Sequence, residues 1–465
     1  MKTNPPSRFH PTAARGQRGS VLVLVMWILF GLISITIYFA HSMIYELRAS
    51  DNRVAGIEAE HAIEGGRRYV SLMISNITDR GSIPSPANYQ CQAVPVGNGR
   101  FWLLGRTNVD NAPPAEPTWG LMDEGAKINL NTANSNMLYM LPRMTPELVN
   151  SILAWRSTNT SSTTGGAETD TYMRLNPPYT CKNAPFETIG ELRLIYNMDL
   201  LVLFGEDPNM NGILDPNEND GEILPPSDNQ NGKLEPGILE YVTVYSREPS
   251  TTTNGTARIQ LGPTTDVESL RTNMESLYGV TQATTFLDKI APINRRQGNR
   301  VYNQQINNPL LFFRATGMNE DQFAQIEPLL RGASLNGLVN INTASSTVLA
   351  CLPGMDANTA AQVVAYRTSN QGTIAARNSI GWIVNAITDK TILPQIAPRI
   401  TGRSYQYTAD IAAVGHDGRG FRRTRFIFDV TQGAPNIIYR QDLTHLGWAL
   451  GKQVRDRWQL GKKTS

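Results

Sequence analysis

The chain has 465 residues, enough for about two or three domains, and a nearly balanced formal charge of +2. Four of its cations stand before residue 19, and without them 38 basic residues face 40 acidic ones. That balance excludes a strongly basic nucleic-acid surface. The five histidines (His10, His41, His61, His416, His445) are scattered. No Gly-x-Ser-x-Gly, Walker loop or His-Glu-x-x-His pattern occurs, so an enzyme is not expected.

The first element is a basic leader, residues 1–19, with Lys2, Arg8, Arg15 and Arg18 and no acid, ending at Gly19. An uncharged, mostly apolar run follows from Val21 through Ala40. At ~1.5 Å per helical residue this run spans the ~30 Å hydrocarbon core of a bilayer. The expected processing point, Gly19-Ser20, precedes the run, so cleavage would keep residues 20–41 as a membrane helix. The basic flank stays cytoplasmic and the remainder is exported. An ordinary single-pass anchor is the other reading. The arrangement resembles the type IV prepilin and pseudopilin class, cut after a glycine by a dedicated peptidase. That class usually has a glutamate at the fifth mature position, which is Leu24 here. A buried carboxylate without a partner costs several kcal/mol. Leu24 therefore suits a subunit with nothing above it, or one that never assembles.

Beyond the membrane run charges appear, yet apolar residues recur at helical spacing to about Ser75. One helix is expected over both stretches, followed by strands at Phe101–Leu104 and Thr118–Asp123. This pilin-like part covers 42–126. An excursion over 127–399 then interrupts the sheet. The chain returns over 400–465 with strands Tyr405–Val414 and Phe421–Val430, joined by a turn at His416–Gly420. Arg419, Arg422, Arg423 and Arg425 read as a solvated hairpin, or else as a patch for an anionic partner. From Thr431 on there is little periodicity. In an exported domain Cys91 and Cys181 are candidates for a disulfide, with Cys351 left as a buried thiol.

The excursion contains a repeat. Lys127-Ile128-Asn129-Leu130-Asn131-Thr132-Ala133 recurs as Leu338-Val339-Asn340-Ile341-Asn342-Thr343-Ala344. Each copy continues through a Leu-Pro-x-Met turn to a second helix ending in Trp155-Arg156 or Tyr366-Arg367. A degenerate third copy starts at Arg258. The Asn-Thr-Ala segment reads as a capped helix start, and the whole resembles a helix-hairpin-helix unit. Such units often hold DNA backbone, but neither hairpin has a second glycine, and Asp356 would face the phosphate. A packing role is expected, and no nucleic-acid partner.

Between the copies, Asp207 to Glu218 fits a calcium loop: Asp207, Asn209, Asn211 and Asp215 at positions 1, 3, 5 and 9, Gly212 at the bend, the Ile213 carbonyl, and Glu218 at position 12. Two asparagines lower the ligand charge, which suits a weak structural site in a calcium-rich exterior. A second, weaker loop over 228–240 offers Asp228, Asn229, Asn231 and Glu235, but Ile238 occupies its position 12.

Taken together, these segments resemble the minor pseudopilin family known as type II secretion system protein K. The resemblance implies an α+β fold: a pilin-like helix on a small antiparallel sheet, with a mainly α-helical insertion containing helix-hairpin-helix-like repeats and bound calcium. It also implies a place at the tip of a periplasmic filament anchored in the inner membrane. Partners would be the other minor pseudopilins, the major pseudopilin and the prepilin peptidase. A DNA-uptake protein and a minor pilin of a type IV pilus are the alternatives.

Overall fold

The computed structural model describes residues 20–106, 117–158, 165–294 and 298–460. The leader, Gly19 included, lies outside the described residues. Residues 1–55 and 56–465 form two compact units. Helix α1, Ser20–Ser75, runs through both, as the sequence implied. In the first unit its apolar residues from Val21, Leu24 among them, are exposed. Among the described residues this is the one helix long and apolar enough to cross a membrane.

In the second unit the rest of α1 turns Ala59, Ala62, Ile63, Val70 and Ile74 onto the sheet. Gly65 and Gly66 make the approach close. A Cβ at Gly65 would lie 2.9 Å from Val96, and one at Gly66 3.1 Å from Ile411 and Phe101. Strands β1 (Val94–Val96), β2 (Gly99–Leu104) and β3 (Met122–Asp123) follow. The chain then enters the insertion.

The insertion is three units, each closed by a parallel pair of two-residue strands. β4 (Ile128–Asn129) pairs β5 (Val242–Thr243), β6 (Ile259–Gln260) pairs β7 (Leu330–Arg331), and β8 (Val339–Asn340) pairs β9 (Ile400–Thr401). The middle unit contains the degenerate copy. One apolar core from Ile128 to Ile400 serves all three.

The chain returns as β10 (Gln406–Val414), β11 (Arg422–Asp429) and β12 (Asn436–Asp442). The antiparallel sheet has the order β1-β2-β10-β11-β12, with β3 also on β10. The tail is more regular than its sequence suggested. β12 is an exposed edge without clean alternation, and a further helix spans Gly451–Leu460. Just before that helix Ala449 and Leu450 cover Trp102, Leu104, Ala412 and Val414.

All nine residues of β10 are buried. Tyr407, Ala409, Ile411 and Ala413 belong to the core shared with α1. The opposite face carries Gln406, Thr408 and Asp410, which alternation alone would leave to water. The insertion covers it. Thr408 donates to Glu124 at 2.6 Å, and Gln406 accepts from the Arg247 amide at 2.9 Å.

Two of the four arginines correct the solvated reading, whereas Arg422 is exposed as expected. Arg423 and Arg425 are buried, and both pair with buried Asp410 at 2.8 Å. Burial alone would raise the Asp410 pKa; the two guanidiniums reverse this and hold it well below the usual carboxylate range.

Glu327 is also buried, and both of its oxygens accept from the Ile380 amide at 3.3 Å. Burial pushes its pKa up to about 7, above an unfolded value near 4.5. Its stabilising contribution is therefore complete below the unfolded value and lost as pH rises through 7. The difference corresponds to about 3 kcal/mol. The urea midpoint of the detergent-solubilised chain should fall between about pH 5 and about pH 8, and Glu327→Gln should remove about that much of the fall.

Candidate metal centre and its setting

The 207–218 loop folds as its residue spacing requires. Asp207 Oδ1 and Oδ2 accept from the amides of Asn211 and Gly212, each at 2.9 Å. Asn209 Oδ1 accepts from the Asn211 amide at 2.9 Å, and Asn211 Oδ1 from the Ile213 amide at 2.7 Å. Gly212 makes the bend with φ +71°. Glu218 returns to accept from the Asp215 amide at 2.9 Å. The amides of Asn209 and Asn211 both donate to Asp215 Oδ2, at 2.8 and 3.0 Å. These hydrogen bonds tie the side chains of Asp207, Asn209, Asn211, Asp215 and Glu218 into the loop, and Ile213 joins through its backbone N–H.

The electrostatics of that place are unfavourable to anions alone. Glu218 Oε1 is buried with no hydrogen-bond partner. Burial, then the carboxylates of Asp207, Asp215 and Glu206, push the Glu218 pKa up to about 9. Burial raises Asp207 as well, with Arg106 opposing. Among the described residues no three His, Cys, Asp or Glu side chains stand close enough to hold a metal unaided. Amide and carbonyl oxygens would have to complete the set, which is the mixture a hard cation such as calcium accepts. The orphaned Glu218 oxygen and the raised carboxylates fit a cation in this loop.

The 228–240 loop copies part of this pattern. Asn229 and Asn231 donate their amides to Glu235 Oε1 at 3.2 and 2.8 Å, as Asn209 and Asn211 do to Asp215. Asp228 Oδ1 accepts from the Gln230 N–H at 2.7 Å, while its Oδ2 turns to the N–H groups of Asp220 and Gly221 at 2.9 and 2.8 Å. Two residues the sequence reading missed join the loop. Glu206 Oε2 accepts from the Glu235 amide at 3.0 Å, the contact Glu218 makes in the first loop. Asn219 Oδ1 accepts from the Gly232 amide at 3.0 Å, the contact Asp207 makes. Neither lies at template spacing, so no motif could flag them.

The helix-hairpin-helix features are turned inward. Thr145 and Asp356 accept from the amides of Leu148 and Thr359 and cap the helices Pro146–Arg156 and Ala357–Ser369. Arg156 donates to the carbonyls of Leu130 and Ala133, and Arg367 to those of Ile341 and Ala344. The arginine ending each second helix thus satisfies the carbonyls of its own Asn-Thr-Ala loop. The helix caps in that region are Asn134 and Ser345, not the Asn-Thr pair. Asn129 and Asn340 instead accept from the amides of Asn131 and Asn342 at 2.9 and 3.0 Å and fix the loop. Arg143, in the first hairpin, reaches the second loop and donates to the Glu235 and Pro236 carbonyls at 3.3 and 3.5 Å.

Residues 127–203 match the family model described as type II secretion system (T2SS), protein K. Over that segment the chain is similar to protein K of the type II secretion system. The matched segment opens the insertion and stops just short of the first metal loop. Residues 336–401 match a helix-hairpin-helix motif, the third of the three units. A solved chain from the GspK-GspI-GspJ complex of the enterotoxigenic Escherichia coli type 2 secretion system aligns at 11% identity with a TM-score of 0.37. The alignment covers 88% of this chain and 98% of that one. No curated protein matches significantly.

The expected disulfide does not form. Cys91 packs in the core between α1 and the sheet, whereas Cys181 packs in the core of the insertion. Both thiols are free, as is Cys351, and burial raises all three pKa values. The chain unfolded in denaturant without reductant should therefore titrate all three thiols of the sequence; a count of one would restore the bridge.

Proposed function

We propose that this chain is a protein K of the type II secretion system, the minor pseudopilin at the tip of the secretion pseudopilus, starting or capping the filament. The role is structural rather than catalytic. The supporting observation is the burial of the polar face of the sheet by the insertion. A fused domain over 127–399 leaves no stacking position above this subunit, and Leu24 supplies no carboxylate for one. Residues 20–41 would cross the inner membrane after a prepilin peptidase cuts at Gly19-Ser20, leaving the bulk in the periplasm. The other minor pseudopilins would join through helix and sheet, with the major pseudopilin below.

Calcium would be held by Asp207, Asn209, Asn211, Ile213, Asp215 and Glu218. A second ion would sit with Asn229, Asn231 and Glu235, completed by Glu206 and Asn219. These ions would staple a polar stretch with little apolar material of its own. Nucleic acid is not a partner in this reading, because Asp356 and the arginines of the repeats are engaged within the fold.

Co-purification of the detergent-solubilised chain with the other minor pseudopilins should yield a stable complex; no complex would defeat the tip assignment. Duplex DNA should bind more weakly than micromolar at ~150 mM salt, and tight, salt-sensitive binding would favour the uptake reading. Chelator should lower the melting temperature by a few degrees, on the order of 1 °C per kcal/mol of lost binding for a chain this large. No shift would remove the metal.

A further inference from the structure

The 207–218 loop is gripped from the sheet. Arg423, on β11, donates Nη1 to the Asn209 carbonyl at 2.5 Å and Nη2 to the Met210 carbonyl at 2.6 Å. Arg106, just past β2, donates to the carbonyls of Met210 and Asn211. Three consecutive carbonyls are thus held by two guanidiniums. Met210 lies between them in a left-handed conformation, φ +51°, which a residue with a side chain adopts only under constraint. The residues on either side of it, Asn209 and Asn211, carry loop positions 3 and 5.

Each arginine is itself fixed. Arg423 forks onto Asp410 of β10, through Nε and Nη2, both at 2.8 Å. Arg106 meets the Glu240 carboxylate at 3.1 Å. β10 lies between β2 and β11, so Asp410 stands under both grips. Asp410 accepts from Arg423 and Arg425, and its charge also acts on Arg106, so it bears on the loop through the arginines.

We propose that Arg423 and Arg106 are positioning residues that couple cation binding in the 207–218 loop to the polar face of the sheet. The sheet sets where the Asn209 and Asn211 oxygens stand, and an ion held by those oxygens in turn fixes the sheet against the insertion. The proposal rests on the calcium reading above. A simple charge effect predicts the opposite sign, since removing a nearby cation strengthens calcium binding. Lysine separates the two, because it keeps the charge and loses the planar fork.

The test is calcium titration by calorimetry on the full-length chain in detergent, with melting temperatures recorded beside it. Arg106→Lys and Arg423→Lys should each weaken calcium about tenfold or more, as loss of an outer-shell partner does. Asp410→Asn should weaken it similarly in the wild-type background and add little to Arg423→Lys. Arg106→Lys leaves the Asp410 cluster whole, so it keeps the test decisive if the buried variants do not fold. Melting temperatures that fall while calcium affinity stays unchanged would mark a merely structural role and overturn the coupling. Tighter binding in the lysine variants would overturn it too. No calcium heat with the wild-type chain would overturn the calcium reading itself.

Discussion

A single buried carboxylate organises the centre of this molecule. Asp410 lies on the middle strand of the sheet with no exposure, between two arginines of the neighbouring strand. An uncompensated charge there would cost several kcal/mol, so the three side chains stand or fall together. Arg423 is the largest fully buried side chain of the second unit. It satisfies Asp410 with one part of its fork and the 207–218 backbone with the other. The sheet therefore reaches the insertion through directional, charge-assisted bonds rather than through apolar contact alone.

The same logic extends along the polar face. Asp123 accepts from Asn340 at 2.9 Å and from Thr343, which ties the third helical unit to β3. Its neighbour Glu124 takes Thr243 from the first unit, Thr408 from β10, and Lys127 at 2.9 Å. Farther along, Asp429 of β11 pairs with Arg247 of the insertion. The apolar cores of sheet and insertion stay separate, yet residues 56–465 form one compact unit. Buried polar links of this kind specify a unique arrangement where apolar packing alone would tolerate several.

The repeats use one sequence device in two directions. In the first and third units two carbonyls of the Asn-x-Asn-Thr-Ala loop are satisfied by the arginine in the last turn of the second helix. That use removes the cation on which a phosphate would rely. Asp356, which looked like a repellent for DNA, is a helix cap. In both repeats these side chains serve the packing of the fold.

The long helix, the interrupted sheet, the repeat and the bend of the 207–218 loop were all legible in the sequence, because each rests on local periodicity or on fixed spacing within a dozen residues. The tail strand was not, since an exposed edge carries no alternation to read. The disulfide failed because Cys91 and Cys181 look alike as loop cysteines, and only the fold sends them to different cores. Glu206 and Asn219 were invisible for the related reason that they serve a loop to which they do not belong in sequence. The arginines were read as solvated because basic residues next to a glycine-rich turn usually are. The sequence by itself thus determined the elements and the local geometry of the cation loop, which depend on neighbours along the chain. Only the tertiary structure decided which face of the sheet the insertion covers, and hence which charges are buried, paired and available to hold that loop.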